Sequence, residues 1–156
     1  MEQGTQLREF GPQTVGRGGV PEPKAGAIYY VGMPQFINTG RTRVTVTRLS
    51  IAGVSPNVRA LGYIILSTQE FDGATLIDWD PSAPTTDINF ASARRYSLPY
   101  SIDAGKRSPL FGMAKVRLLR YPPRGEVRSC VVQYRTGGQR YQQKVKCEYS
   151  FGPFGS

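Results

Sequence analysis

Residues 126–151 read EVRSCVVQYR, TGG and QRYQQKVKCEYSF in succession, and this stretch decides the fold. A two-residue hairpin turn needs positive φ values at both central residues, and the Gly137-Gly138 pair supplies them. The runs on either side alternate between apolar and polar residues, with the period of two that is typical of a half-buried strand. The stretch therefore predicts a β-hairpin that packs one face against a core.

The two faces of this predicted hairpin differ sharply in chemistry. The apolar face carries Cys130, Val132, Tyr134, Tyr141, Val145, Cys147, Tyr149 and Phe151. The polar face carries Ser129, Gln133, Arg135, Arg140, Gln142, Lys144, Lys146 and Glu148. Four of these, Arg135, Arg140, Lys144 and Lys146, are therefore expected to form a basic outer face that meets solvent or a partner.

Cys130 and Cys147 are the only cysteines of the chain. A strict two-residue turn places Cys130 opposite Val145 and Cys147 opposite Arg128, so the cysteines become diagonal neighbours on one face. A four-residue loop would place them directly opposite each other. A disulfide is compatible with either register, but the favoured hypothesis is two buried free thiols in a reducing compartment.

Strand patterns also recur upstream of the hairpin. Predicted strands cover residues 27–31, 42–52, 58–67, 74–79, 87–91, 95–102 and 113–120. Alternation over 42–52 predicts one face with Thr45, Thr47, Leu49 and Ile51, and an opposite face with Val44, Val46 and Arg48. Pro99 weakens the strand signal over 95–102, because proline cannot donate to a ladder.

Eight or nine short strands and no convincing helix predict an all-β fold, a single antiparallel β-sandwich of jelly-roll type with about eight strands. The domain is expected over residues 27–151. An extended N-terminal arm, rich in glycine and proline, precedes it over 1–26, and a short tail follows over 152–156. An immunoglobulin-like sandwich fits less well, because Trp79 does not lie between the two cysteines.

Charge is distributed unevenly along the chain, which has a formal net charge of +9. Residues 113–148 hold nine bases and two acids. Residues 70–87 hold five acids and no base, namely Glu70, Asp72, Asp78, Asp80 and Asp87. The basic half suits either nucleic acid or the acidic segment of a neighbouring subunit, and its alternation along strands favours a solvated or partner-facing surface.

Arginine and tyrosine also occur together near predicted turns, where stacking and phosphate contacts are both available. These candidate contacts for nucleic acid or a partner are Arg94, Arg95, Tyr96, Arg120, Tyr121 and Arg124.

The sequence indicates no catalytic centre, metal site or cofactor. The chain has no histidine, which removes the usual general base and the commonest metal ligand. The residue types of Asp78, Asp80 and Asp87 would suit a calcium or paired-carboxylate site, but the Asp80-Pro81 step is typical of a turn. We therefore expect a protein that is not an enzyme.

In its length, its strand count, its terminal arms and its lack of catalytic residues, the chain resembles small single-jelly-roll virion structural proteins. The resemblance implies a self-assembling capsid subunit or a capsid-decorating (cement) protein, as in a bacteriophage. The implied partners are further copies or another capsid protein, with nucleic acid secondary and no membrane. The implied location is a virion that is assembled in the host cytoplasm, without a secretory signal.

The N-terminal arm departs from the arms of genome-packaging coat proteins. Its three bases, Arg8, Arg17 and Lys24, are balanced by Glu2, Glu9 and Glu22. A neutral arm favours clasping of neighbouring subunits over wrapping of a genome.

Two other functions fit the sequence. The first is a nucleic-acid-binding β-barrel that uses the arginine and tyrosine loops. The second is a carbohydrate-binding β-sandwich, or a carboxylate hydrolase, with Trp79, Asp78 and Asp80 at its site.

Overall fold

A computed structural model of the chain describes residues 1–10, 17–20, 22–69, 78–79 and 93–153. The predicted all-β fold is confirmed, with twelve strands and no helix among these residues. The strands are β1 (Glu2–Gln3), β2 (Leu7–Phe10), β3 (Arg17–Val20), β4 (Ile28–Gly32), β5 (Gln35–Asn38), β6 (Val44–Ala52), β7 (Val58–Ser67), β8 (Asp78–Trp79), β9 (Tyr100–Ile102), β10 (Leu110–Leu118), β11 (Gly125–Thr136) and β12 (Gln139–Phe151). No helix in this part of the chain is long and apolar enough to span a membrane.

The strands form two large sheets and one small pair. The first sheet has the order β1-β12-β11-β6-β9, and β3 also pairs with β12. The second sheet has the order β7-β10-β4-β8, and β2 pairs with β5. All pairings are antiparallel except those of β1 and β3 with β12, which are parallel.

The core fills the space between the two large sheets. Its main cluster takes Val46, Val132 and Val145 from the first sheet and Val31 and Val116 from the second, all at most 3% exposed. The Tyr149 hydroxyl donates to the Gly32 carbonyl at 3.1 Å in this buried region and so links the sheets. The fold is therefore a two-layer sandwich, as the alternating strands predict.

One glycine lies where the two layers pack against each other. A Cβ at Gly112 of β10 would lie 2.6 Å from Leu49 Cδ1 of β6, which is closer than real carbon atoms come. A side chain at this position would force the end of the Leu49 side chain to shift, and glycine avoids this.

The hairpin has the predicted turn and register. Gly137 and Gly138 have φ values of 57° and 81°, both in the left-handed region. Cys130 lies opposite Val145, as a two-residue turn requires. β7 and β12 also cover the predicted ranges, whereas β9 is confined to the three residues that follow Pro99. The predicted strand over 87–91 lies outside the described residues.

The hypothesis of free thiols is wrong, because Cys130 and Cys147 form a disulfide with a Cα–Cα distance of 5.6 Å. The register shifts between Val127 and Ser129, so that Cys147 and Glu148 both fall opposite Arg128. This β-bulge breaks the strict ladder and leaves the diagonal cysteines near enough to bond.

The predicted faces of β6 are wrong in the second half of the strand. The register shifts at Thr47, since Gln133 lies opposite Arg48 and Tyr134 lies opposite Val46. The extra residue reverses the alternation, so Leu49 is buried with Val46 while Arg48 is exposed. The bulge thus exchanges the faces that simple alternation assigned to Arg48 and Leu49.

The segment predicted as an N-terminal arm contributes β1, β2 and β3, which pair with β5 and β12 of the same chain. Gln6 fixes it by donating its Nε2 to Asn38 Oδ1 at 3.0 Å and to the Thr42 carbonyl at 2.9 Å. Asn38 is fully buried and also donates to Ile102 O at 2.9 Å. The described parts of the arm are therefore held by the domain itself.

We expect loss of the disulfide to destabilise the fold by about 3 kcal/mol, because the unfolded chain gains conformational entropy when the bridge no longer closes a loop. The bridge spans a sequence separation of 17 residues. The measurement is urea unfolding of the double variant Cys130→Ala/Cys147→Ala against the parent. Equal unfolding midpoints with equal slopes would contradict this expectation.

The Tyr100 hydroxyl is a buried group without a hydrogen-bond partner among the described residues. Burial raises the pKa of Tyr100 above its usual range, and the neighbouring Ser108 side chain offsets only part of this shift. The Ser108 hydroxyl lies 2.5 Å from Leu110 O, so its own proton is engaged there. Burial likewise raises the pKa of Tyr134.

Tyr100→Phe should therefore stabilise the fold by about 1 kcal/mol at neutral pH, since an unsatisfied polar atom leaves the core. A tyrosine that stays neutral when folded loses its proton first in the unfolded chain, so stability falls as pH rises above 10.0, the ordinary pKa of tyrosine. The variant should lose less stability than the parent above that pH in denaturant titrations. A parallel loss in both proteins would contradict the assignment.

Candidate functional site

A cleft on the outer face of the first sheet gathers three arginines, and we refer to it as the arginine cleft. Its lining is Met1, Thr47, Arg48, Gln133, Tyr134, Arg135 and Arg140, around a volume of about 310 Å³. The three arginines are exposed, and none of the lining residues is acidic. The cleft thus offers a concentrated positive charge to a ligand.

The β6 bulge brings Arg48 into this cleft. Thr47 is the additional residue, and its hydroxyl donates to the Gln133 carbonyl at 3.2 Å. Arg48 lies opposite Gln133 and therefore points to the same face as Arg135, two residues further along β11. Without the bulge, Arg48 would share the buried face of Val44 and Val46. Bulges commonly re-aim a side chain next to a functional site.

Arg135 and Arg140 are directly opposite each other in the β11–β12 ladder. Like charges in this position destabilise a sheet, because their Cβ atoms lie about 5 Å apart. Ion pairs among the described residues join Arg43 to Asp103 and both Arg124 and Arg128 to Glu126, and none of these involves the cleft. The positive charge of the cleft is therefore not neutralised within this part of the chain.

The four side chains of the predicted basic outer face are all exposed. Lys144 lies opposite Val131 and Lys146 lies opposite Ser129, away from the lining of the cleft. The sequence pattern thus found two members of the cleft, Arg135 and Arg140, but placed Arg48 on the wrong face. The signal for Arg48 is the spacing of Val44, Val46, Leu49 and Ile51, where the apolar period slips by one residue.

The six arginine and tyrosine residues proposed as one contact group fall into two groups. Arg94 lies 5.1 Å from the ring centre of Tyr96, whose backbone N–H donates to Ile65 O at 2.8 Å. Arg95 is exposed beside them. These residues therefore lie at the C-terminal end of β7.

The second group lies at the other end of β7. The Asn57 side chain donates to Arg120 O at 2.9 Å, and Arg124 pairs with Glu126 at 3.4 Å. Tyr121 packs against the core. Asn57 and Ile65 are eight residues apart, which at strand spacing is more than about 20 Å. The structure does not bring the two groups together, because β7 separates them.

The acidic segment has one member, Asp78, among the described residues. Asp78 lies in β8 opposite Val31, whereas Glu70, Asp72, Asp80 and Asp87 lie outside the described residues. Trp79 lies opposite Tyr30. Over the part of the chain that the structure covers, no three carboxylate or thiol side chains gather as metal ligands would.

The N-terminal segment runs along the open edge of β12. The Gly4 N–H donates to Gln142 O at 2.8 Å, and the Gln143 side-chain amide bonds both the N–H and the carbonyl of Leu7. The Lys146 N–H then donates to Glu9 Oε1 at 3.0 Å. With β1 and β3 at its two ends, β12 has partners along most of this edge.

Comparisons with known proteins identify no family. No family model matches the chain, and no curated protein matches it. Among solved structures, the chain is similar to the VesB protease of Vibrio cholerae, with a TM-score of 0.44 and 7% identity. The match covers 95% of this chain and 32% of that one, so the chain spans about a third of its length. A likeness this low says nothing about function.

Removing one charge from the Arg135–Arg140 pair should stabilise the unliganded protein. We expect Arg140→Ser to raise the free energy of unfolding by about 0.2–1 kcal/mol in low salt, and by less in 1 M salt, where charges are screened. Lys144→Ser is the matched control, because its cross-strand partner is the uncharged Val131. An equal salt response of both variants would contradict a specific repulsion between the two arginines.

Proposed function

We propose that this protein is a structural subunit that self-assembles through its N-terminal arm, either as a capsid subunit or as a protein that decorates a virion shell. The observation that supports this proposal is the covering of the β12 edge by β1, β3 and residues 4–9. A sheet edge is a template for another strand. The same contacts form equally well when the arm comes from a second copy.

The contacts of the arm suit such an exchange. Leu7 is 2% exposed and inserts into the core, while the backbone of the same residue bonds Gln143. The segment thus combines a buried apolar anchor with backbone pairing, which is the mode by which added strands bind a sheet. An arm that leaves its own domain must find an equivalent edge, and a neighbouring copy offers one.

Two further features support an assembled, extracellular particle. Lys144 and Lys146 stay exposed on the basic outer face, where they suit the acid-rich stretch 70–87 of a neighbouring subunit. The Cys130–Cys147 disulfide persists in an oxidising environment, such as the surface of a released virion. The proposed partners are therefore copies of this chain or another shell protein.

Arm exchange can be tested by trapping the β1–β12 contact. Gln3 lies next to Gln142 in the parallel ladder, so Gln3→Cys/Gln142→Cys should form a disulfide across it. We expect covalent dimers and larger species, in proportions that rise with protein concentration, on non-reducing gels and by light scattering. Gln3→Cys/Lys144→Cys is the control, because Lys144 has no partner in β1. Exclusively intrachain links in a monomer at millimolar concentration would overturn the proposal.

A further inference from the structure

We propose that the arginine cleft is a binding site for phosphate groups. Arg48, Arg135 and Arg140 come together there from three strands, β6, β11 and β12. Met1 of the arm also lines the cleft, but the three arginines belong to strands outside the arm, so the inference holds whether or not the protein assembles.

The charge and the strand pairing of the cleft both favour an anion. Each guanidinium carries five N–H donors and remains charged at all accessible pH values. Arg135 and Arg140 lie opposite each other in the ladder, next to the Gly137-Gly138 turn. An anion between the two arginines relieves their repulsion. This relief contributes part of the free energy of binding.

A phosphate suits this arrangement better than a carboxylate. A carboxylate is satisfied by the fork of one arginine, whereas a tetrahedral phosphate dianion accepts from several arginines at once. A volume of about 310 Å³ leaves room for more than one such group beside the side chains. The cleft therefore matches a diphosphate or a run of phosphodiesters more closely than a single acidic side chain.

Recognition is of the phosphate and not of a base. Tyr134 is the one aromatic residue in the lining, and it is 1% exposed, so no ring face is open for stacking. Contacts to phosphate alone carry no sequence information. The expected ligands are thus either free di- and triphosphates or a nucleic-acid backbone, bound without sequence preference.

The binding experiment uses the full chain in 20 mM salt, with three probes in parallel. The probes are inorganic pyrophosphate, a labelled single-stranded oligothymidylate, and a peptide with the sequence of residues 70–87. We expect the first two probes to bind. Arg48→Ala, Arg135→Ala and Arg140→Ala should each weaken them at least tenfold, and added salt should weaken them steeply.

Lys144→Ala is the matched control, because Lys144 is exposed on the same face but does not line the cleft. It should change affinity by less than twofold, and Arg48→Lys should lose affinity despite its retained charge. Circular dichroism and thermal unfolding of each variant verify its fold. If the oligonucleotide binds more tightly than pyrophosphate, the phosphate ligand is assigned to nucleic acid. If the oligonucleotide binds no more tightly than pyrophosphate, the ligand is assigned to a small molecule.

Three results would overturn the proposal. One is the absence of binding of both phosphate probes up to millimolar concentration. Another is an equal loss of affinity in Lys144→Ala and the arginine variants, which would mean a diffuse charge effect. The third is tighter binding of the acidic peptide with the same arginine dependence, which would assign the cleft to a protein partner. None of these results affects the trapping of the β1–β12 contact, so the two proposals fail separately.

Discussion

The pairing of β11 with β12 is the contact on which the rest of the structure depends. It fixes the register that brings Cys130 and Cys147 together, and it places Arg135 opposite Arg140. One edge of the pair receives β6 and the other receives the N-terminal segment. A slip of one residue would turn every side chain of a strand to the opposite face, so the glycine turn that fixes the register also determines the core.

Polar contacts and one buried apolar anchor, Leu7, cover the β12 edge of this sheet. The Gln143 amide substitutes for a backbone partner opposite Leu7, and Glu9 accepts the Lys146 N–H. Such contacts are reversible, because water can replace each of them at small net cost. A disulfide beside this edge keeps β12 in place if the segment leaves. A sheet that keeps its form under a cover held by such contacts is what the proposed exchange between copies requires.

Local patterning predicted the fold class, the ranges of β7 and β12 and the exposure of the basic face, because those features depend on alternation within one strand. It missed features that depend on a neighbouring strand. The β12 bulge determined the disulfide, and the β6 bulge turned Arg48 outward. The strands of the N-terminal segment carry little apolar periodicity, since they pair through backbone groups. The arginines at 94 and 120 were grouped by residue type, but β7 holds them apart.

The Thr47 bulge also bears on how the arginine cleft could arise or disappear. Val46 and Leu49 both face the core although two residues separate them, which strict alternation does not allow. Loss of Thr47 would leave one residue between them, so the ladder would close without a bulge and Arg48 would still lie opposite Gln133. A regular ladder that kept Thr47 would instead turn Arg48 toward the core. The cleft therefore depends on the match between the length of this strand and its bulge.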